Sequence, residues 1–405
     1  MTHWVPELLA PAGSLEKLKV AVLYGANAVY LGGQKFGLRT AADNFTLPEL
    51  EEGVSFAHQH GSLVYVVLNS FLHDEDLEDL PGFLQELERL KVDAVIVSDL
   101  GVIETIKEHS NLEIHLSTQA SCLNIEAAKL WKKTGVTRIV LGREVSIYEA
   151  AAIKKASGLE VEMFIHGSMC MAYSGNCVIS NYTQGRDSNR GGCAHSCRFE
   201  YSLEGEGVNK VQNTFMSSKD LLGIRVVKEF IEAGIDSLKV EGRMKSHHYA
   251  GTVSKIYSEA LKFYAQYGTK PKDQSERALF QERESSWEKE LEKLSHRDYT
   301  QASLVEKAGA DSIYDERDEL VKDYVISGLV LESKESEHLL VQVRSAFRPG
   351  ERLELVPFEG ESISFELDDF YDINGAKVEK SKPGQLVKLP WLKEARTWNF
   401  IRRSP

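Results

Sequence analysis

The sequence predicts a parallel (β/α) barrel of the TIM type followed by a small all-β domain, and three observations carry that prediction. Short apolar, β-branched runs recur and alternate with helix-like stretches over roughly the first 250 residues, the size of one such barrel. One long loop, rich in cysteine and glycine, interrupts the alternation after its seventh run. From about Tyr324 onward the pattern changes to short strands broken by tight turns. With 405 residues, the chain exceeds what one core usually supports, so two domains are expected.

The expected barrel strands are ELLAPAG (7–13), AVYLGG (28–33), LVYVVLN (63–69), AVIVSD (94–99), EIHLSTQ (113–119), RIVLGRE (138–144), VEMFIHG (161–167) and SLKVEGR (237–243). Between them, Thr46-x-x-Glu49 and Ser146-x-x-Glu149 are capping boxes that open helices. The phrases GANAVYLGG, GVTRIVLGRE and AGIDSLKVEGR repeat a helix-ending glycine followed by a core strand, as equivalent units of one barrel would. An open doubly wound sheet is the alternative. Gly32-Gly33 lacks the later glycine and the helix start of a dinucleotide-binding fingerprint, which counts against it.

The barrel is expected over 1–268, with a cysteine-rich loop at 168–218 that leaves the C-terminal end of its strand. That end is where barrel enzymes keep their chemistry. A charged stretch, KPKDQSERALFQERESSWEKELEKLSHRDY, then suggests a helical linker over 269–323. The third unit, 324–405, reads as a small β-barrel or sandwich. Its turn signals are Arg348-Pro349-Gly350, Asn374-Gly375 and Lys382-Pro383-Gly384, and it is expected to dock or to present RNA.

The formal charge of −13 argues against a protein that coats nucleic acid through overall electrostatics. Locally the balance reverses: Arg186, Arg190 and Arg198 face one Asp187, and Lys239, Arg243 and Lys245 face one Glu241. The stretch MTHWVPELLAPAG lacks the features of a signal peptide, and no run approaches the ~20 apolar residues of a membrane span. The expectation is a cytoplasmic protein without a membrane partner. In that reducing compartment, clustered thiols point to a metal or to catalysis rather than to disulfides.

Four of the five cysteines, Cys170, Cys177, Cys193 and Cys197, fall within the long loop, with six, fifteen and three residues between successive members. Zinc sites usually pair cysteines closely at both ends, and here only the second pair is close. An iron–sulfur cluster needs convergence in space rather than one fixed spacing. Spacing alone leaves cluster, zinc and merely buried thiols open. Cys122, alone after the fifth strand, reads as a small core residue.

Asn69, Gln119, Arg143, Glu144, His166, Glu241 and Arg243 all fall at strand ends, from where they could converge over the barrel mouth. Arg143 and Arg243 suit a dicarboxylate or phosphate, His166 a proton relay beside the first cysteine, and Glu241 a base. Lys219 and Lys245 are candidate phosphate contacts. His247-His248 is not a metal dyad, because adjacent helix residues point in different directions.

The segment Glu162-Met-Phe-Ile-His-Gly-Ser-Met-Cys170-Met-Ala-Tyr-Ser-Gly-Asn-Cys177-Val-Ile-Ser180, together with ELLAPAG, SSKDL and SLKVEGRMKS, resembles the signature of the collagenase-like peptidase family of unassigned catalytic type. Several members of that family are oxygen-independent or prephenate-dependent hydroxylation proteins holding a [4Fe-4S] cluster on four cysteines. A single barrel followed by a β-domain is most similar to the members that act on tRNA and make 5-hydroxyuridine at the wobble position. The resemblance therefore implies a tRNA-modifying enzyme with a [4Fe-4S] cluster and prephenate, a small dicarboxylate, as co-substrate. Catalytic roles are expected for His166, Glu241 and Arg243, and substrate contacts for Asn69, Gln119, Arg143, Lys219 and Lys245.

Several relatives carry a cysteine ligand after the Ser-Lys-Asp-Leu block, where this chain has Leu222, so the resemblance leaves Cys197 as the fourth ligand. Other functions fit less well. Hydroxylation of ribosomal RNA is the nearest rival. A peptidase would need a nucleophile with a placed base or a zinc helix, and no motif supplies one. Family members that hydroxylate a small isoprenoid quinone are expected to lack the C-terminal β-domain.

Overall fold

The computed structural model describes residues 2–38, 44–205, 208–314 and 324–404, with the side chains of 208–210 excepted. Eight parallel strands form a closed barrel: β1 (Glu7–Pro11), β2 (Ala28–Leu31), β3 (Leu63–Leu68), β4 (Ala94–Val97), β5 (Glu113–Leu116), β6 (Arg138–Val140), β7 (Glu160–Ser168) and β8 (Ser237–Val240). Closure is explicit in the register, since β8 pairs with β7 through Glu162↔Ser237 and with β1 through Glu7↔Ser237. All eight strands coincide with the expected apolar runs, and a helix follows each on the outside.

Both capping boxes form. Thr46 and Ser146 each accept from the backbone three residues on, and Glu49 and Glu149 return the bond. These cap donors hold the two glutamate carboxyls below the usual carboxylate range.

The barrel interior carries charge. Glu162 on β7 is wholly buried, ion-pairs with Lys239 of β8 at 2.7 Å and lies 3.6 Å from Arg138 of β6. Arg138 also reaches Glu7 of β1 at 2.7 Å, and Glu7 accepts from the Tyr65 and Ser237 hydroxyls. Lys239 thus serves the barrel core and not a basic patch beside the mouth. Its ammonium also lies 4.5 Å from the centre of the Tyr30 ring, a cation–π contact.

The charged stretch after Gly268 is in part an integral layer of this unit. Helix Gln274–Leu291 buries Phe280, Trp287 and Leu291 in the same apolar cluster as the barrel. The chain then returns to pair Tyr299–Thr300 alongside Asp220–Leu222, which itself runs antiparallel to the end of β7. Residues 315–323 of the expected linker lie outside the described residues.

The C-terminal domain is a seven-stranded antiparallel sheet around its own core of Val341, Leu355, Phe370 and Ile401. Its turns sit where expected, with Gly350, Gly375 and Gly384 at φ of 81°, 86° and 81°. A strand absent from the sequence reading, Phe400–Arg403, is central: it pairs with both Val325–Lys334 and Arg352–Val356. Phe400 of that strand stacks on Tyr24, with ring centres 5.3 Å apart, and the Tyr24 hydroxyl donates to the Val356 carbonyl at 2.7 Å. These contacts dock the β-domain on the first barrel helix (Leu15–Leu23) and its cap.

Candidate functional site at the barrel mouth

The long loop leaves the C-terminal end of β7 and returns beside it, so it stands over the mouth. Local chemistry shapes it tightly. Ser180 and Ser196 are fully buried and 3.4 Å apart, the Ser196 hydroxyl accepts from Thr183 at 2.8 Å, and the Ala194 amide donates to Ser180 at 3.0 Å. Gly192 packs directly on the Asp187 backbone, where a Cβ would come within 2.5 Å of a carbonyl oxygen. The segment carrying Cys193 and Cys197 is thereby fixed against the short helix Ile179–Gln184.

Other bonds clamp the loop to the barrel. Glu144, just past β6, accepts from the Ser174 amide at 3.0 Å and from its hydroxyl at 3.2 Å. Gly175, at φ 81°, lies so close to Gln119 that a Cβ there would sit 2.1 Å from the Gln119 carbonyl. Only glycine fits this approach. Glu241 accepts from the Ser168 amide at 3.1 Å, holding the loop where it leaves β7.

Cys170 is exposed and Cys177, Cys193 and Cys197 are half-buried. Burial raises the Cys197 thiol, the neighbouring Cys170, Cys193 and Cys177 raise it further, and Arg198 opposes them. Each of the other three thiols thus acts on Cys197. Among the described residues, no group of three or more His, Cys, Asp or Glu side chains forms a set that could hold a single metal ion. A purely thiol donor set nevertheless fits the soft chemistry of an iron–sulfur cluster, which spreads its four ligands over four irons. Leu222 is buried in the barrel core. Cys122 is buried as well, its thiol pushed up to about 11 by burial.

The strand-end residues divide into two groups. The Asn69 side-chain amide and the Gln119 backbone amide both donate to the Ser117 hydroxyl, at 3.0 and 3.3 Å, in one sector of the mouth. Arg143 lies with its guanidinium 3.7 Å from the centre of the Phe164 ring. Arg243 bonds Asn44 at 2.9 Å and packs against Gly32, where a Cβ would come within 2.9 Å of the guanidinium. These stay at the mouth.

His166, Lys219 and Lys245 are drawn elsewhere. The register between β7 and β8 shifts beside His166, and this bulge turns its ring outward. There it is 1% exposed, 3.2 Å from the Tyr257 hydroxyl of helix His247–Tyr267. Burial lowers its pKa to about 3, against the opposing pull of Asp220, so the ring is neutral. Lys219 lies 3.9 Å from Asp298, and Lys245 donates to the Ser295 carbonyl at 3.1 Å. Both lysines face the segment that follows helix Gln274–Leu291.

What sequence reasoning missed is the exposed aromatic surface of the loop. Tyr173 is 64% and Tyr182 92% exposed, on the same loop that carries Arg186 and Arg198. Their spacing carries no periodic signal. No helix among the described residues is long and apolar enough to cross a membrane.

Comparison with known proteins completes the picture. The profile of peptidase family U32 matches residues 13–314, and that of the family's C-terminal domain matches residues 322–402. The chain is 40% identical to tRNA hydroxylation protein P1 of Bacillus subtilis, over 98% of this chain and 95% of that protein. It is 32% identical to tRNA hydroxylation protein P of Escherichia coli, over 95% and 93% of the two chains. The 23S rRNA 5-hydroxycytidine C2501 synthase of Escherichia coli is 39% identical over 63% of this chain and 39% of its own length. The chain belongs to peptidase family U32.

Proposed function

We propose that the protein is an RNA-modifying enzyme that hydroxylates tRNA. One observation carries this reading: the likeness to proteins named for tRNA hydroxylation runs end to end, through the cysteine loop and the C-terminal domain alike. The exposed Tyr173 and Tyr182, on a loop that also carries Arg186 and Arg198, support it, because aromatic faces and basic side chains together suit an unpaired nucleic-acid strand. They give a net acidic chain a local surface for RNA.

In this proposal the base hydroxylated is the wobble uridine, giving 5-hydroxyuridine, and prephenate is the co-substrate. Cys170, Cys177, Cys193 and Cys197 would hold a [4Fe-4S] cluster, which supplies one-electron chemistry. The chain's own residues bind and orient. Arg143 and Arg243 present guanidinium groups to a carboxylate or phosphate, Asn69 and Gln119 line the same opening, and Glu144 and Glu241 fix the loop that carries the thiols. The setting proposed is the cytoplasm.

Hydroxylation of ribosomal RNA is the second reading, favoured by the likeness of the barrel to the rRNA synthase. Peptide cleavage, implied by the family name, is disfavoured because His166, four residues before Cys170, is buried, neutral and bonded to Tyr257 and so cannot serve that thiol as a base.

Mass spectrometry of tRNA nucleosides from a strain lacking this gene and any paralogue tests the proposal. Loss of 5-hydroxyuridine-derived nucleosides is expected. Normal levels of them would sink it.

A further inference from the structure

Between the loops that follow β2 and β3 lies an open cleft of about 330 Å³, at the small end of ligand sites. Its walls come from Lys35–Gly37, from the stretch Ser70–Asp79, and from Arg190 of the cysteine loop. Phe36 is held at φ 69°, a conformation that bulky side chains rarely adopt, and its carbonyl accepts from the Ser70 amide at 3.1 Å. Backbone strain of this kind concentrates at ligand sites.

Phe71 lines the cleft and is 38% exposed, with no ring or cation partner among the described residues. The wall it sits in is well anchored. Arg190 donates to the Phe71 carbonyl at 2.8 Å and to Asp76 at 2.9 Å. The Phe71 amide donates to the Asn189 carbonyl at 3.1 Å, and the Asn189 side chain donates to the carbonyl of Cys177 at 3.1 Å. The cleft is thus tied through one residue to the second of the four cysteines.

The charges in the cleft select against a phosphate. Two cations, Lys35 and Arg190, face three carboxylates, Glu75, Asp76 and Asp79, which leaves a balance of −1. Asp76 and Asp79 are paired with Arg190 and Lys35, whereas Glu75 is exposed and has no partner among the described residues. A neutral planar ring offering both N–H donors and carbonyl acceptors matches this lining. We propose that the cleft receives the unpaired, flipped-out pyrimidine base of the RNA substrate, with Phe71 stacked on its face and Glu75 accepting from its ring N–H. The inference rests on the RNA-hydroxylation reading and assigns that reaction's base-binding site.

The test uses the full-length protein and a stem-loop RNA carrying 4-thiouridine at the position that becomes hydroxylated. Long-wave ultraviolet cross-linking followed by peptide mass spectrometry is expected to place the nucleotide on residues 35–37 or 70–79. In fluorescence anisotropy at fixed salt, Phe71→Ala should weaken binding of this stem-loop roughly tenfold, and Phe71→Trp should retain it. Glu75→Gln, at an exposed position that leaves folding untouched, should lower the hydroxylation rate at saturating RNA. Cross-links confined to the 181–198 stretch or the C-terminal domain, with hydroxylation intact, overturn the cleft assignment alone. Failure of the wild-type protein to bind or modify any tRNA overturns the assignment together with the reading beneath it.

Discussion

Glu144 grips Ser174 twice, through the backbone amide at 3.0 Å and the hydroxyl at 3.2 Å, and so ties the loop between Cys170 and Cys177 to the end of β6. Ser174 is buried, so removing its acceptor strands a polar group at a cost of about 1–3 kcal/mol. Glu144→Ala should raise amide hydrogen exchange across residues 170–177 while leaving exchange in the barrel strands unchanged. Glu144→Gln, which keeps one acceptor, should have a smaller effect. Equal protection in all three proteins would contradict the clamp.

The Glu162 carboxylate is buried between Lys239 and Arg138. Burial raises its pKa, but the two cations outweigh burial and hold it below the usual carboxylate range. Its folded pKa is thus depressed, and the stability it contributes is present above the unfolded value of 4.5 and lost as the pH falls through the folded one. Glu162→Gln takes the carboxylate from the buried Lys239, while Arg138 keeps Glu7 and Glu160, and should cost about 3–5 kcal/mol in denaturant unfolding. The double variant Glu162→Gln/Lys239→Met should recover part of that loss.

His166 and His248 are both pushed down to about 3, each chiefly by burial, and for His248 the Arg402 charge adds to it. Their ordinary value is 6.5, so between about pH 3 and 6.5 the unfolded chain binds more protons than the folded one. Stability should therefore be full above pH 6.5 and decline as the pH falls below it. His166→Gln should flatten the slope of the urea midpoint against pH in that window. An unchanged slope would show that the ring is not neutral and buried as described.

Arg402 is fully buried where the β-domain meets the barrel, with Glu290 at 2.6 Å and Glu354 at 2.8 Å. Glu290 belongs to the barrel-side helix Gln274–Leu291 and Glu354 to the β-domain, so the arginine bridges both. Arg402→Met leaves Glu290 and Glu354 with only Lys293 between them, at 2.8 and 3.7 Å, and should cost about 1–3 kcal/mol. Calorimetry should show the β-domain melting apart from the barrel in this variant. A single transition at the wild-type temperature would contradict the bridging role.

The barrel was legible because its strands are buried apolar runs, such as Ala28–Leu31 and Ala94–Val97, whose helices announce themselves with caps at Thr46 and Ser146. The cysteine loop was legible from its length and residue types. Side-chain direction was not. His166 stands two residues from the inward-facing Phe164, and only the bulge against β8, a property of the pairing, turns it out. Lys239 read as part of a basic patch because its partner Glu162 is 77 residues away in sequence. Helix Gln274–Leu291 read as a linker because three buried residues among many charges give a weak apolar stripe. The strand Phe400–Arg403 was missed because its buried arginine breaks the apolar pattern until Glu290 and Glu354 are brought beside it.

The central claim, that the four loop cysteines support RNA hydroxylation, is tested most directly in a strain lacking this gene and its paralogues, complemented with single cysteine variants. Nucleoside mass spectrometry of tRNA should show 5-hydroxyuridine derivatives restored by the wild-type gene and by Cys122→Ala. Cys170→Ala, Cys177→Ala, Cys193→Ala and Cys197→Ala should each fail to restore them. Full restoration by Cys197→Ala would contradict the four-thiol site.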